Sequence, residues 1–99
     1  MKVRIYAYGT VRQAIASDVF DLELPDQSHF HDLIELMVAE FGTAFAEVTL
    51  AEREERGTIK IKSPVRVLLN GMALESLEGG NPPLKDSDEV AFLMMSAGG

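Results

Sequence analysis

The chain has 99 residues, of which 46% are hydrophobic, and this fits one domain with one core rather than a disordered protein. It contains no cysteine, which excludes disulfides, thiolate metal sites and a cysteine nucleophile; its net charge of −7 argues against a nucleic-acid partner, because phosphate binding needs clustered Lys and Arg. No apolar run approaches the roughly 18 residues of a membrane span, and the first residues resemble a strand rather than a signal peptide, so we expect a cytoplasmic protein with no membrane partner.

Two alternating runs open the chain. Apolar residues occupy every second position in residues 1–8 and again in residues 19–24. A period of two is typical of strands with one buried side, and these two are expected to pair as an antiparallel hairpin. Residues 9–18 form a long connection between them, with a short turn of helix around residues 11–16.

The most regular element is a helix. It is expected to begin near Ser28, a candidate N-cap, and to end at Gly42, where a left-handed residue is expected. Apolar residues recur three and four positions apart along it and form one stripe. The residues of this stripe are Phe30, Leu33, Ile34, Met37, Val38 and Phe41.

Residues 43–62 follow no clear pattern, and their fold stays open. Residues 43–50 are compatible with a second short helix. Residues 51–57 form a charged stretch typical of a solvated surface. Residues 58–62 fit either an edge strand or the approach to the next strand.

Two strong strands lie in the last third of the chain. The strand over residues 65–69 ends at Asn70-Gly71, a dipeptide typical of a type I′ hairpin turn, and a short strand follows the turn. The last strand, residues 89–93, comes after an acidic turn at residues 85–88.

The order strand, strand, helix, strand, short strand, strand predicts a two-layer α+β fold. One main helix would cover a mixed sheet of four to five strands. The first and last strands are expected to form a parallel central pair, joined by a crossover through the helix. This arrangement is the ubiquitin-like β-grasp. We predict a domain over residues 1–93 and a flexible C-terminal Gly-Gly tail over residues 94–99.

The terminal pair Gly98-Gly99 carries the chemistry that we predict. Glycine has no Cβ, so the segment Ser96-Ala97-Gly98-Gly99 can thread a narrow channel and bring the Gly99 carboxylate to ATP in a partner's active site. Adenylation makes that carboxylate an electrophile, after which a sulfur donor gives a thiocarboxylate or an amine gives an amide. The chain would then be a substrate rather than an enzyme, with no bound cofactor and with ATP consumed by the partner. A frayed terminus without chemistry is the alternative.

A partner-binding surface is predicted beside the tail. The candidate residues are Leu68, Ala91, Leu93, Met94 and Met95. The first three would lie on the outer face of the sheet, and the two methionines would provide adaptable apolar side chains. The first three residues either contact a partner protein or are covered by residues 43–57. The two methionines either contact a partner or simply complete the last strand and the core.

No metal site is predicted. His29 and His31 are two positions apart, so on a helix they point in different directions. The acidic residues Asp86, Asp88 and Glu89 lack the spacing of an EF-hand loop, and a solvated turn accounts for them better.

Three segments carry a family resemblance. They are residues 65–71 (VRVLLNG), residues 84–92 (LKDSDEVAF) and residues 96–99 (SAGG). In this order and spacing they resemble the MoaD/ThiS sulfur carriers of the ubiquitin-like superfamily, whose longer relatives include the small archaeal modifier proteins. Two departures stand out: Ser87 occupies a turn position that is usually Gly, and Met94-Met95 replaces the usual Pro-Pro.

The resemblance implies a function for Gly99. A ubiquitin-activating-type adenylyltransferase would activate it, and the product would be a thiocarboxylate. In MoaD proteins that sulfur goes to molybdopterin, inside a synthase with a larger catalytic subunit, so this chain would be the small subunit. Two alternatives stay open: a modifier conjugated through Gly99 to lysines of target proteins, and a β-grasp binding module whose tail is inert.

Overall fold

The computed structural model describes residues 1–50 and 60–94. Several predictions therefore lie outside the described residues. They concern the charged stretch at residues 51–57, the first part of the possible strand at residues 58–62, and the tail from residue 95 onward.

Five strands form one mixed sheet in the spatial order β2-β1-β5-β3-β4. The strands are β1 (Lys2–Ala7), β2 (Val19–Glu23), β3 (Val65–Leu69), β4 (Met72–Ala73) and β5 (Glu89–Met94). β1 and β5 pair in parallel at the centre, and every other neighbouring pair is antiparallel. The predicted β-grasp is confirmed, including its central parallel pair.

Strand β1 follows directly from its alternating sequence. Val3, Ile5 and Ala7 are fully buried, whereas Lys2 and Arg4 between them are exposed. In the central position β1 hydrogen-bonds to β2 on one side and to β5 on the other. Its buried face therefore points toward the helices, and its polar side chains mark the outer face of the sheet.

Two helices cover the inner face of this sheet. Helix α1 (Gly9–Ile15) lies between β1 and β2 and buries Val11 and Ile15. Helix α2 (Phe30–Thr49) is the main helix, and two short 3₁₀ turns follow β4. None of the helices in the described ranges has the length and apolar character of a membrane-spanning segment.

The start of α2 differs from the prediction by one residue. His29, not Ser28, is the N-cap. The His29 N–H donates to Asp32 Oδ2 at 2.8 Å, which is half of a capping box. The Ser28 hydroxyl instead donates to the Pro25 carbonyl at 2.7 Å, so it closes the preceding turn and is not free to cap the helix.

The helix is interrupted at Gly42 but does not end there. Gly42 has φ 74° and ψ −156°, a conformation available almost only to glycine. Helical structure then resumes as far as Thr49, which answers the open question about residues 43–50. Residues 43–49 therefore form a second helical segment set at an angle to the first.

A chain of aromatic rings ties this second segment to the sheet. Phe20 on β2 packs edge-on against Phe41 at 5.5 Å between ring centroids, and Phe41 lies 6.5 Å from Phe45. Phe45 in turn packs edge-on against Phe92 of β5 at 5.8 Å. Because Phe45 and Phe92 are both fully buried in the core, this segment packs on the inner face of the sheet. Residues 43–49 therefore do not cover the outer face, and residues 51–57, the rest of the predicted cover, lie outside the described residues.

The acidic turn before β5 is held by hydrogen bonds. Asp88 is buried, and its carboxylate accepts from the Lys85 N–H at 2.7 Å and from Asn70 Nδ2 at 2.9 Å. Asp86 Oδ1 accepts from the Lys2 N–H at 2.7 Å. These contacts join the turn to β1 and to the β3–β4 hairpin, so Asp88 has a structural role and the turn is not simply solvated.

Candidate functional site

The predicted reactive residue, Gly99, lies outside the described residues. Outside them too lie the predicted threading residues Ser96, Ala97 and Gly98, and Met95, which was predicted to bind a partner. The structure does describe the strand that leads to them, because β5 extends through Met94. Met94 thus belongs to the sheet, one residue beyond the predicted boundary between domain and tail.

An apolar row crosses the outer face of the sheet near this strand end. The strand register places one residue from each strand side by side in it. In spatial order from β2 to β4 the residues are Val19, Tyr6, Ala91, Leu68 and Ala73. Val19 is 45% exposed, and the other four are half-buried. We call these five residues the outer band.

The outer band brings together two of the predicted partner-binding residues. Leu68 and Ala91 are directly paired across β3 and β5. Leu93 lies two residues further along β5, on the same face, and is paired with Arg66. Leu93 and Met94 are both half-buried. Leu68, Ala91 and Leu93 therefore lie on the outer face as predicted. Met94 points to the other face and packs against the core, paired with the buried Val65.

Three residues of the band were missed from the sequence. Tyr6 was recognisable as an outward residue of the first strand, but nothing in the sequence showed its neighbours. Val19 and Ala73 join the band only through pairing, opposite Tyr6 and Leu68 respectively. Only the strand register identifies these two residues, and the register is a property of the folded sheet rather than of one strand's sequence.

A charged row borders the band on the side away from the strand end. Arg4 lies between Asp21 of β2 and Glu89 of β5 in the register, and its Nε donates to Asp21 Oδ1 at 2.9 Å. This hydrogen bond holds the pKa of Asp21 below its ordinary value of 3.8. Arg4 and Asp21 are therefore both charged at neutral pH, and the apolar outer band is bordered directly by charged side chains.

The end of β5 also contacts the start of α1. The Tyr8 N–H donates to the Phe92 carbonyl at 3.0 Å, and the Thr10 hydroxyl donates to Met94 Sδ at 3.2 Å. Tyr8 itself is 49% exposed. The last described residues of β5 are thus held between β3 on one side and the first turn of α1 on the other.

The chemistry of this surface is that of docking. The side chains of the outer band are aliphatic and aromatic. Nearer the end of β5, Leu93 lies beside Arg66, which forms an ion pair with Glu75 at 3.6 Å. In the part of the chain that the structure describes, no three His, Cys, Asp or Glu side chains come together as a metal site would require. An apolar surface of this kind is typical of protein interfaces.

Comparison with known proteins places the chain in a family. A model described as the ThiS family matches residues 7–99, whereas no curated protein matches the sequence. The structure is similar to SAMP1 from Haloferax volcanii, with a TM-score of 0.77, 16% identity and full coverage of both chains. It is also similar to the HVO 2177 protein of Haloferax volcanii, with a TM-score of 0.76 and 25% identity. That alignment covers 100% of this chain and 87% of the other.

A further similar structure is the putative molybdopterin converting factor, subunit 1, from Pyrococcus furiosus. Its TM-score is 0.71 and its identity 24%, with 97% of this chain and 99% of the other covered. At the lower identities these likenesses show the shared fold. The family match spans nearly the whole sequence, through the Gly-Gly pair. The chain therefore belongs to the ThiS family.

Proposed function

We propose that this chain is a ubiquitin-like sulfur carrier whose Gly99 carboxylate is activated by adenylation and converted to a thiocarboxylate. The observation that carries the proposal is the ThiS family match over residues 7–99, which includes Gly98-Gly99. The β-grasp sheet supports it, because β5 leads from the centre of the sheet toward that pair.

The chemistry needs only the carboxylate of this chain. A carboxylate oxygen of Gly99 attacks the α-phosphorus of ATP, and pyrophosphate leaves with its electron pair. Hydrosulfide released by the sulfur donor then attacks the carbonyl carbon. AMP leaves with its electron pair as the C–S bond forms, and loss of the S–H proton leaves the thiocarboxylate. The partner supplies the ATP site and every acid, base or nucleophile, so this chain is a carrier rather than an enzyme. The proposal places this chemistry in the cytoplasm, where ATP is available.

The outer band would dock the activating partner, a ubiquitin-activating-type adenylyltransferase. Apolar surfaces rimmed by charge are typical of protein interfaces. Met95, a further partner-binding residue in this proposal, lies outside the described residues. The sulfur acceptor that we propose is molybdopterin, with this chain as the small subunit beside a larger synthase subunit. The name of the Pyrococcus furiosus relative, a putative molybdopterin converting factor, supports this choice.

Conjugation to other proteins is the second candidate function. The same adenylate would react with a lysine amine of a target, and an isopeptide bond to Gly99 would form as AMP leaves. Similarity to SAMP1, which is named a small archaeal modifier protein in Methanosarcina acetivorans, favours it. Both functions use the same activation step, and one protein can perform both.

Mass spectrometry of the intact protein distinguishes these functions. The chain is incubated with ATP, a sulfur donor and the adenylyltransferase encoded in the same genome. We expect the mass change of one oxygen replaced by sulfur, located at Gly99 by fragmentation. Gly99 in isopeptide linkage to lysines in cell extracts would establish conjugation. An unmodified C-terminus under sulfur-replete conditions would leave a binding module with an inert tail.

Deletion of Gly98 and Gly99 is the matched control. Activation should be lost, while the melting temperature should stay within about 1 °C of the full chain, because neither glycine belongs to the described sheet and core, whose last strand is β5 (Glu89–Met94). A large loss of stability would mean that the terminal residues are part of the fold, and would contradict the proposal.

A further inference from the structure

One side of strand β2 is a free edge of the sheet. β2 (Val19–Glu23) comes first in the spatial order of the strands and pairs with β1 along its whole length, one residue opposite one, without a bulge. Within residues 1–50 and 60–94, no strand pairs with its other side. We call that side the β2 edge. A free edge presents backbone N–H and C=O groups on which a further strand can form.

The hydrogen bonds to β1 show which backbone groups the β2 edge presents. The Leu24 N–H donates to the Met1 carbonyl at 2.8 Å, and the Asp18 carbonyl accepts from the Ala7 N–H at 3.0 Å. In an antiparallel ladder, every second residue of a strand bonds to the same neighbour. The even-numbered residues from 18 to 24 therefore face β1. The odd-numbered residues between them turn their backbone groups outward, and they are Val19, Asp21 and Glu23.

Aromatic side chains line the β2 edge on the inner face of the sheet. Phe20 packs edge-on against Phe41 of α2, with 5.5 Å between the ring centroids. Both rings are only half-buried, whereas the next inward residue of β2, Leu22, is buried in the core. A strand added to β2 would place its own inward side chains against these two rings, and the burial of their remaining apolar surface would favour its binding.

Carboxylates line the same edge. Residues 17–26 contain no Lys or Arg but four acidic residues, Asp18, Asp21, Glu23 and Asp26. The cations beside them lie further in, on β1 and at its start. Arg4 bonds to Asp21 at 2.9 Å, Lys2 is opposite Glu23 in the register, and the Met1 ammonium lies 3.7 Å from Glu23. A chain that approaches β2 from its free side therefore meets carboxylates first.

These carboxylates disfavour a second copy of the chain as the occupant. In a two-fold pairing of two β2 edges centred on Asp21, the two Asp21 side chains would face each other, and Glu23 would face the apolar Val19. Like charges directly opposite each other destabilise a strand pair. β2 has no Lys or Pro, which commonly protect edge strands. Its acidic residues hinder pairing with an identical edge but attract a basic strand.

We propose that the β2 edge binds an extended basic segment of a partner protein, which adds to the sheet as an antiparallel strand. Its Lys or Arg side chains face Asp21 and Glu23 on the outer face, and the apolar side chains between them cover Phe20 and Phe41. Main-chain hydrogen bonds supply affinity, and the alternating side chains supply specificity. Antiparallel pairing is the more stable per residue. This surface adjoins the outer band but does not require the chemistry of Gly99, so it goes beyond the proposed function.

A designed peptide tests this pairing on the full chain. The probe is an acetylated and amidated heptapeptide of alternating Lys and Val that begins and ends with Lys. In a nitrogen-15 NMR titration we expect shifts of the β2 amides and slower solvent exchange at Val19, Asp21 and Glu23, whose N–H groups gain acceptors. The same peptide with Glu in place of Lys should cause neither effect. Binding of the Lys peptide without slower exchange at these three amides would overturn the proposal.

Backbone N-methylation of the probe separates strand pairing from attraction between charges. In the proposed pairing, the N–H groups of the Lys residues point toward β2 and those of the Val residues point away. Methylation of the two inner Lys nitrogens should therefore weaken binding about tenfold or more, because two hydrogen bonds are lost. Methylation of two Val nitrogens, which gives the same mass and charge, should change the Kd little. Any other ranking of these two peptides would contradict the antiparallel strand.

Glu23→Gln tests the charge at the edge. We expect the Kd for the Lys peptide to rise about two- to fivefold, the effect of one exposed ion pair. Glu78→Gln is the matched control, because it removes the same charge from the 3₁₀ turn beyond β4, and it should leave the Kd unchanged. Equal weakening in both variants would mean that the peptide responds only to net charge. Shifts of the β2 amides with protein concentration alone would identify a second copy as the occupant. Either result would refute the proposal.

Discussion

At the scale of single residues, Ser87 shows how a local departure from the family pattern is absorbed. Ser87 has φ 73°, in the left-handed region that glycine favours. Its N–H donates to the Lys2 carbonyl at 2.8 Å, and its neighbours Asp86 and Asp88 are both hydrogen-bonded. These bonds hold the turn in its glycine-like geometry although the residue is serine.

Ser87→Gly should therefore stabilise the protein. The left-handed conformation costs a non-glycine residue about 1–2 kcal/mol, and glycine would remove this cost. The greater freedom of glycine in the unfolded chain offsets about 0.5–1 kcal/mol of that gain. We expect the free energy of unfolding to rise by about 0.5–1 kcal/mol in urea titrations. Ser87→Ala, which keeps the strain, should show no gain. A destabilised Ser87→Gly would mean that the side chain has a role beyond the turn.

The sequence identified Ser87 as unusual but could not settle the shape of its turn. Serine at that position was compatible with either a strained turn or a different one. The outcome depends on hydrogen bonds to Lys2 and Asn70, which are distant in sequence. The N-cap of α2 could not be settled from the sequence either. The Ser28 hydroxyl donates to the Pro25 carbonyl, whereas the His29 N–H donates to Asp32 Oδ2, so His29 is the cap.

At the scale of elements, Gly42 determines the course of α2. Its backbone conformation lets the second helical segment turn so that Phe45 reaches Phe92 beneath the sheet. The apolar stripe of the first segment predicted a helix as far as this glycine, correctly locating the break. The second helical segment was harder to predict, because the apolar pattern of residues 43–49 is short. Which of its side chains are buried is decided by packing against the core.

Gly42→Ala tests whether this break is required. Nothing lies within 4 Å of an added Cβ, so the substitution acts on the backbone alone. If the break is required, we expect a loss of about 1–3 kcal/mol in the free energy of unfolding. If α2 can straighten, alanine should instead raise the stability and the helical circular dichroism signal, as it does inside a regular helix. The two outcomes have opposite sign in one urea titration.

At the scale of the whole molecule, fold and site differ in how far the sequence predicts them. Alternation in Val3, Ile5 and Ala7 and the helical stripe determine which faces are buried, so the two-layer β-grasp could be predicted. The outer band could be predicted only in part. Leu68 and Ala91 were recognisable as outward residues, but their alignment with Val19 depends on the register of three strand pairs.

A charge in the middle of the outer band should weaken docking without unfolding the protein. Leu68 is half-buried on the outer face, so Leu68→Glu should cost little stability but place an unpaired carboxylate in the interface. We expect the Kd for the adenylyltransferase, measured by calorimetry, to rise at least about tenfold. Lys2→Glu, an exposed change on the same face away from the band, is the control. Equal weakening by both would indicate a general effect of charge.

The central pairing of β1 with β5 also has a consequence for folding during synthesis on the ribosome. Thr10 and Met94, which meet beside these strands, are 84 positions apart. At a synthesis rate of about 5–20 residues per second, β1 therefore waits roughly 4–17 s on the ribosome before its partner exists. During that time one edge of the β1–β2 hairpin has no partner, and an open edge is a template for aggregation. The last strand covers the open edge of the first, so a translational pause anywhere between β1 and β5 would lengthen the time for which that edge is exposed.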